Sequence, residues 1–465
     1  MSAATEAIER PGAVRGVVAV RRLRAVSTAA GYALGLGAAA WIVVISVSRG
    51  RALQRAHREV MLGAAPFVGR DPADGWDWRF GAALVGAGVI AAVVVAAVWT
   101  GWFARARLRT IALSSAAAAA GFALLLALTD RADGVLNGAR HPTEYLSNLP
   151  KTPPAGEFVR RFLDDLDKYS VHLRGHPPGF ILVLKAMAAI GLDGAWPVAL
   201  LSVVAAAAVV GAVLTTVWAV AGAAWVRRTA PFLILTPYAL WQVTSADAVY
   251  AAVGAVAVAA LAVGLRLQPW RALATGLVAG LLLGSLCYLT YLGVIFALVP
   301  ALFLTDAALR RRQAAWRVMA GAVVGGLVVI ISFRLAGFWW IDGARRTRTE
   351  YWEGTAQFRD WDYFKYANIA VLLVAIGPAA VFGLMRLRDR RMWLLCGGAV
   401  AAVAASHLSQ YTRGEVERIW LLFFPWLVLA AAAATAAAAR RWASVFVGLQ
   451  AATAIALQAA LVSKW

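Results

Sequence analysis

Apolar runs long enough to cross a lipid bilayer recur along the whole of this 465-residue chain, and short arginine clusters separate them. A hydrocarbon core ~30 Å thick takes about 20 apolar residues in a helix. Inside it every backbone polar group must be satisfied within the protein, which leaves helices or closed barrels. The runs have helical length. Hydrophobic residues make up 62% of the chain and charged residues only 15%, against about 25% charged in soluble domains. The sequence therefore reads as an all-α polytopic membrane protein.

Spans are predicted at roughly 27–48, 80–100, 110–129, 196–226, 230–243, 246–265, 272–286, 288–305, 316–338, 367–386, 392–409, 418–439 and 443–463, about 13 transmembrane helices. Two of these, 230–243 and 272–286, are short enough to be tilted or partly buried hairpin arms. With a polar N-terminus over 1–26 on the cytoplasmic side, the inner connections hold Arg105, Arg107, Arg109, Arg227, Arg228, Arg266, Arg271, Arg310, Arg311, Arg312, Arg317, Arg386, Arg388, Arg390, Arg391, Arg440 and Arg441. Of the 24 acidic residues only Glu6, Glu9, Asp306 and Asp389 then lie inside. Basic inner connections are what positive-inside retention produces. The net charge of +21 is thus topological and does not point to nucleic acid. The first run is too long for a cleaved signal and lacks a clear cleavage site, so it reads as a retained span. Cys287 and Cys396 fall within apolar runs and suggest neither a disulfide nor a metal site.

The longest polar interval, 129–179, stands on the outer face by this count. It carries Asp130, Asp133, Glu144, Glu157, Asp164, Asp165 and Asp167 and ends in His176-Pro177-Pro178-Gly179. Phe158, Phe162 and Leu166 recur at i, i+4 and i+8, which predicts an amphipathic surface helix. Residues 176–191 predict a second helix lying on the outer leaflet, with Pro177 and Pro178 in its first turn. Trp76 and Trp78, in an outer loop over 49–79, read as interface anchors. Further outer loops are expected at 339–366 and 410–417. The chain divides into 1–109 (tail and two spans), 110–340 (a module around the 130–179 loop) and 341–465 (the remaining spans).

The order of apolar span, acidic outer loop, surface helix, HPPG, interfacial helix, span ending in Arg-Arg and hairpin with Ser245-Ala246-Asp247 at its tip resembles the GT-C glycosyltransferases. The resemblance covers about 110–340. Two phrases, EYWEGTAQFRDWDYFKYANIAVLLVAIGP (350–378) and GEVERIWLLFFPWL (414–427), look like a group of actinobacterial membrane proteins related to mycobacterial methylthioxylose transferases. The resemblance implies a multi-pass plasma-membrane enzyme with a cytoplasmic N-terminus and an extracytoplasmic active site. It implies transfer of a sugar from a polyprenyl-phosphate donor to an envelope glycan or lipid acceptor. The spans at 27–48 and 80–100 depart from the family module, and their role is open.

Such a transfer needs a carboxylate near the acceptor hydroxyl and cations near the departing phosphate. The family's catalytic acid falls on Asp133, with Asp130 its rival; Asp133-Gly134 is also expected to turn the chain inward. Each could equally be a solvated loop aspartate. Glu144 is a second acid or metal ligand, or another solvated side chain. Asp164, Asp165 and Asp167 read as the polar face of a helix. Asp247 begins an apolar run, where an ionisable group is costly without a partner, and Ser245 or Asp247 could also cap that helix. His176 could face substrate or cap the interfacial helix. Tyr288 and Tyr291 could line a pocket or belong to the aromatic belt. Arg345, Arg346, Arg348, Arg413 and Arg418 lie outside against the charge bias, where forked guanidinium groups suit a lipid phosphate. Arg418, beside Glu415 and Glu417, is the preferred phosphate ligand or else one half of an internal ion pair. No Walker A, GxGxxG or HExxH pattern stands in a supporting context, so a nucleotide cofactor is not indicated, and a divalent cation is left open. Two other classes compete: a transporter or flippase of lipid-linked sugars, which should show repeat symmetry and intramembrane acids, and a non-catalytic envelope-assembly subunit.

Overall fold

The computed structural model describes residues 11–56, 78–243, 245–310, 312–435 and 440–461, and every element among them is a helix or helical turn. Among the described residues nine helices are long and apolar enough to cross a membrane, or up to eleven if each of two bent pairs is one span. They are the nine beginning at Ala29, Ala82, Leu108, Ala195, Ala246, Pro269, Gln313, Arg390 and Arg440. The count of thirteen differs at two places. The predicted spans 230–243 and 288–305 fall on short apolar pieces, Ala223–Ile234 with the turn Pro237–Trp241, and Gly293–Leu309.

These short pieces are nonetheless return paths. The Pro269–Leu289 and Gln313–Leu335 helices run parallel, and a Cβ on Gly276 would meet the Val318 carbonyl oxygen at 2.2 Å and one on Gly280 that of Ala322 at 2.0 Å. Small residues at i, i+4 let the two backbones touch, as in small-xxx-small membrane pairs. The chain between them must come back along the same length, through Gly293–Leu309. Likewise Ala195–Val220 runs parallel to Ala246–Gly264. Ser202 Oγ donates to the Ser245 carbonyl (3.3 Å) near one end, and Arg266 donates to that of Ala219 (3.2 Å) at the other. Residues 221–245 make that return.

Two predicted spans are broken. Trp361–Ile376 meets Pro378–Arg386 at 95°, where Gly377 has φ 79° and Pro378 supplies no N–H. The orphaned backbone groups are satisfied by Gln450, which donates to the Ile376 carbonyl (2.8 Å) and accepts from the Ala379 N–H (3.0 Å). The second break, between Val416–Leu422 and Phe424–Ala434, is 76°. The expected short arm at 272–286 is instead the full helix Pro269–Leu289. The first helix runs from Pro11 to Ala56, so helix replaces much of the polar tail expected over 1–26 and extends past the predicted end at 48. Trp76 lies outside the described residues, while Trp78 is 60% exposed and stacks on Phe80.

Contacts sort the connections to two ends of the bundle. At one end Arg227 donates to the carbonyls of Phe103 and Ala106 (both 2.7 Å) and Arg390 pairs with Asp306 (2.5 Å). The other end holds 130–179, the head of the Ala246–Gly264 helix, Trp340–Glu353 and 410–418.

Candidate functional site

The polar interval begins with a break. Arg131 has φ 58°, and the helix Leu108–Ala127 gives way there to Arg131–Arg140. The turn expected at Asp133-Gly134 therefore falls two residues earlier, at Arg131. Gly134 has a different purpose: a Cβ on it would lie 2.0 Å from the Ala127 carbonyl oxygen, so only glycine lets the two helices meet. Downstream, the expected amphipathic helix is the shorter Ala155–Arg161 followed by a 3-10 turn, Leu166–Lys168. Its apolar face is buried in the protein, with Phe162 edge-on to Phe338 at 5.7 Å. Asp165 pairs with Lys168 (2.7 Å) and Arg161, and Asp167 with Arg346 (3.0 Å).

A polar clasp then brings two parts of the interval together. Asn148 Nδ2 donates to the Glu144 carbonyl (2.9 Å) and to Ser170 Oγ (2.6 Å), while Ser170 N–H donates to Asn148 Oδ1 (2.8 Å) and its hydroxyl to the Thr143 carbonyl (2.6 Å). This sets His172 beside Glu144. His172 Nδ1 lies 2.8 Å from Glu144 Oε1. On the same oxygen Arg418 Nη1 donates at 2.7 Å, and Arg418 Nε lies 3.4 Å from Asp247 Oδ2. The side chains of Glu144, Asp247 and Arg418 are 9%, 7% and 6% exposed. Three segments far apart in sequence thus supply one buried ionic cluster.

Each member has a local reason for its place. Asp247 stands in the first turn of its helix, where the helix dipole favours an anion. Ser245 is the N-cap, accepting from the Asp247 N–H (3.1 Å) and donating its hydroxyl proton to Asp247 Oδ2 (3.0 Å). The capping expectation for this step holds. Arg418 follows a loop with two non-glycine residues at positive φ, Gln410 (61°) and Glu415 (59°). That loop is locked by Arg359, which pairs with Glu415 (2.5 Å) and donates to the Arg413 carbonyl (2.7 Å). Burial works against ionising Glu144, but Arg418 and His172 outweigh it and hold the carboxyl at about 2; Glu415 is held at about 2 in the same way, against burial, chiefly by Arg359.

His176 Nδ1–H donates to the His172 carbonyl at 2.8 Å, so the ring carries a proton on that nitrogen. Burial pushes its pKa down and the Asp247 charge pulls against that. Its ring lies edge-on to Tyr145, whose phenol is raised well above its ordinary value by burial first and by Asp247 next. The HPPG glycine is explained by packing: a Cβ on Gly179 would sit 2.2 Å from the Tyr288 carbonyl oxygen. Beside the cluster lies a narrow cleft of about 10 Å³, lined by Glu144, Tyr145, Phe180, Leu184, Val198 and Ala246.

The structure therefore joins Glu144, Asp247 and Arg418, with His176 alongside. It does not join the others to them. Asp133 is exposed on the first turn of Arg131–Arg140, and no hydrogen bond or ion pair links it to the cluster among the described residues. Asp130 is ion-paired to Arg79. Tyr288 is a core residue stacked on Phe333 at 3.8 Å, and Tyr291 packs on Trp340. The expected loop 339–366 is largely the helix Trp340–Glu353. There Arg346 bridges Asp167 and Glu350 (3.1 Å), Arg345 stands 3.8 Å from Asp342, and Arg348 is exposed. Arg413 is spent on structure, donating to the Arg359 carbonyl (2.9 Å) and to Gln410 (2.5 Å) with its guanidinium 4.8 Å from the Trp352 ring centre.

Sequence reasoning missed His172, Arg359 and Arg79. His172 had one signal, its i, i+4 spacing from His176 in VHLRGH. Among the described residues no group of three or more His, Cys, Asp and Glu is arranged to hold a metal ion. Comparison with family models, curated proteins and solved structures finds no match to this chain.

Proposed function

We propose that this chain is a membrane glycosyltransferase that moves a sugar from a polyprenyl-phosphate donor to an envelope glycan or lipid acceptor on the extracytoplasmic face. The observation that carries the reading is the buried Glu144–Arg418–Asp247 cluster at the end of an apolar bundle. Ionisable groups at the edge of a membrane core are expensive, and their concentration in one place is a mark of function. The parallel helix pairs with their returns favour thirteen crossings, which would put the cluster opposite the basic inner connections.

In this reading the acceptor hydroxyl oxygen attacks the anomeric carbon, the bond from that carbon to the phosphate oxygen breaks, and the phosphate leaves with the electron pair. Asp247 takes the hydroxyl proton. Glu144 is held too acidic to serve as a base near neutral pH. It anchors Arg418 and His172 instead, and Arg418 stabilises the charge that grows on the phosphate. Arg345 and Arg348, both exposed, would meet the donor phosphate from outside. The cleft has room for only about 10 Å³, far below the ~300–1,000 Å³ of small-molecule sites, so donor entry requires the loops around it to part.

The test uses the full chain in nanodiscs with a panel of polyprenyl-phosphate pentoses and hexoses, and mass spectrometry of released polyprenyl phosphate. Wild type should consume at least one donor, and Asp247→Asn should slow it by about 10²-fold or more. Asp133→Asn should remain within about threefold, since the ionic cluster does not include it. Consumption of no donor, or an Asp247→Asn variant at full rate, would overturn the proposal.

A further inference from the structure

The two N-terminal helices have no place in the module that the sequence resembles, yet the residue just ahead of the second of them grips the start of the polar interval. Arg79, just ahead of the Ala82–Trp99 helix, ion-pairs with Asp130. Its Nη2 also donates to the Gln458 carbonyl (2.8 Å) and to that of Leu461, while its own backbone N–H donates to the Ala459 carbonyl at 2.7 Å. Arg79 is thus a rivet. It closes the C-terminal end of the Arg440–Ala460 helix, whose last carbonyls have no partners within the helix, and it holds the residue directly before the backbone break at Arg131.

That position has leverage. Asp130 ends the helix that leads out of the bundle, and Arg131–Arg140 is the first element of the interval carrying Glu144 and His172. Gly138 and Ala139 line the cleft beside Glu144. A guanidinium can hold a carboxylate and two carbonyls at once because its donors form a rigid fork. The geometry points to Arg79 and Asp130 as positioning residues, through which the Ala82–Trp99 helix and the last helix fix the angle at which Arg131–Arg140 presents the cleft. On the proposed function, they position the reaction centre without touching substrate. Asp130, one of the carboxylates that the sequence offers as an acid, serves by this account as an anchor.

The experiment compares wild type, Arg79→Ala, Arg79→Lys, Asp130→Asn and the double variant Arg79→Ala/Asp130→Asn, with Glu157→Gln as a control from the same interval. All are full chains in nanodiscs. Hydrogen exchange of the 131–151 amides is read first, since it does not depend on any activity. Exchange should rise about tenfold in Arg79→Ala and Asp130→Asn. The double variant should be no worse than either single one, because the two residues act as a unit. Arg79→Lys should be intermediate, since an ammonium lacks the fork, and Glu157→Gln should match wild type. Amides of the Pro269–Leu289 and Gln313–Leu335 pair should stay unchanged, which separates local release from general unfolding. Donor turnover on the same samples should fall about tenfold in kcat with KM within about twofold, as expected when groups are misaligned rather than removed. Unchanged exchange over 131–151 in Arg79→Ala, or strictly additive effects in the double variant, would overturn the inference. Altered exchange with no donor consumed by any protein would leave the Arg79–Asp130 anchor standing and remove the proposed function.

Discussion

The two ends of the bundle treat charge in opposite ways. Where Arg105, Arg227, Arg266 and Arg390 gather, guanidinium groups bind nearby backbone carbonyls or meet Asp306 at the surface, and the two arginines on Asp306 are 55% and 63% exposed. At the end holding 130–179 and 410–418, Glu144, Asp247 and Arg418 are buried together, drawn from segments as much as 274 residues apart. Surface pairs are worth about 0–1 kcal/mol. Buried ones tie up desolvation energy that hydrophobic packing would not need to spend, so they are poor devices for stability alone. The contrast teaches that one end keeps its charges at the surface while the other buries a mixed-charge cluster, which on the proposed function is the reaction centre.

The largest effect should come from breaking the buried cluster. Arg418→Met leaves two carboxylates without their cation and should destabilise the chain by roughly 3–5 kcal/mol, measured as a fall in the thermal unfolding midpoint in detergent. The next effect is pH. The folded-state pKa of Glu144 is lowered to about 2, below its ordinary 4.5, so its contribution is present above about pH 4.5 and is lost as pH falls towards 2. That contribution is on the order of 3 kcal/mol. The wild-type unfolding midpoint should drop across pH 4.5 to 2, and Glu144→Gln should remove a large share of that drop. Glu415, lowered to about 2 by Arg359 against its burial, supplies the remainder that survives in the variant. The smallest effect belongs to the other end. Asp306→Asn should cost less than about 1 kcal/mol and leave donor turnover at wild-type level. A loss there as large as that of Arg418→Met would erase the distinction between the two ends.

Much of this architecture was legible because the bilayer imposes a local rule. Apolar length and arginine placement locate the nine long helices among the described residues, although the bounds miss by ten residues or more at the first helix and at Leu108–Arg140. The breaks were hidden, since apolar composition runs straight through Gly377-Pro378 and only the partner Gln450, more than seventy residues on, makes a kink there tolerable. At the site, Asp247 and Arg418 were visible one at a time as charges at span ends, and Glu144 as one loop acid among many. Their meeting was not visible, because an ion pair between residues 144 and 418 leaves no periodicity in the sequence. Asp133 drew attention through position in a resemblance, while the Asn148–Ser170 clasp that brings His172 to Glu144 has no sequence pattern of its own.

The most direct measurement is donor consumption by four proteins in nanodiscs: wild type, Asp247→Asn, Glu144→Gln and Asp306→Asn. The account predicts release of polyprenyl phosphate by wild type and Asp306→Asn at equal rates. Asp247→Asn should lose about 10²-fold or more. Glu144→Gln should also be impaired, through loss of the anchor for Arg418 and His172. Equal rates in all four would contradict a reaction centre at this cluster, and no release from any would contradict the transferase itself.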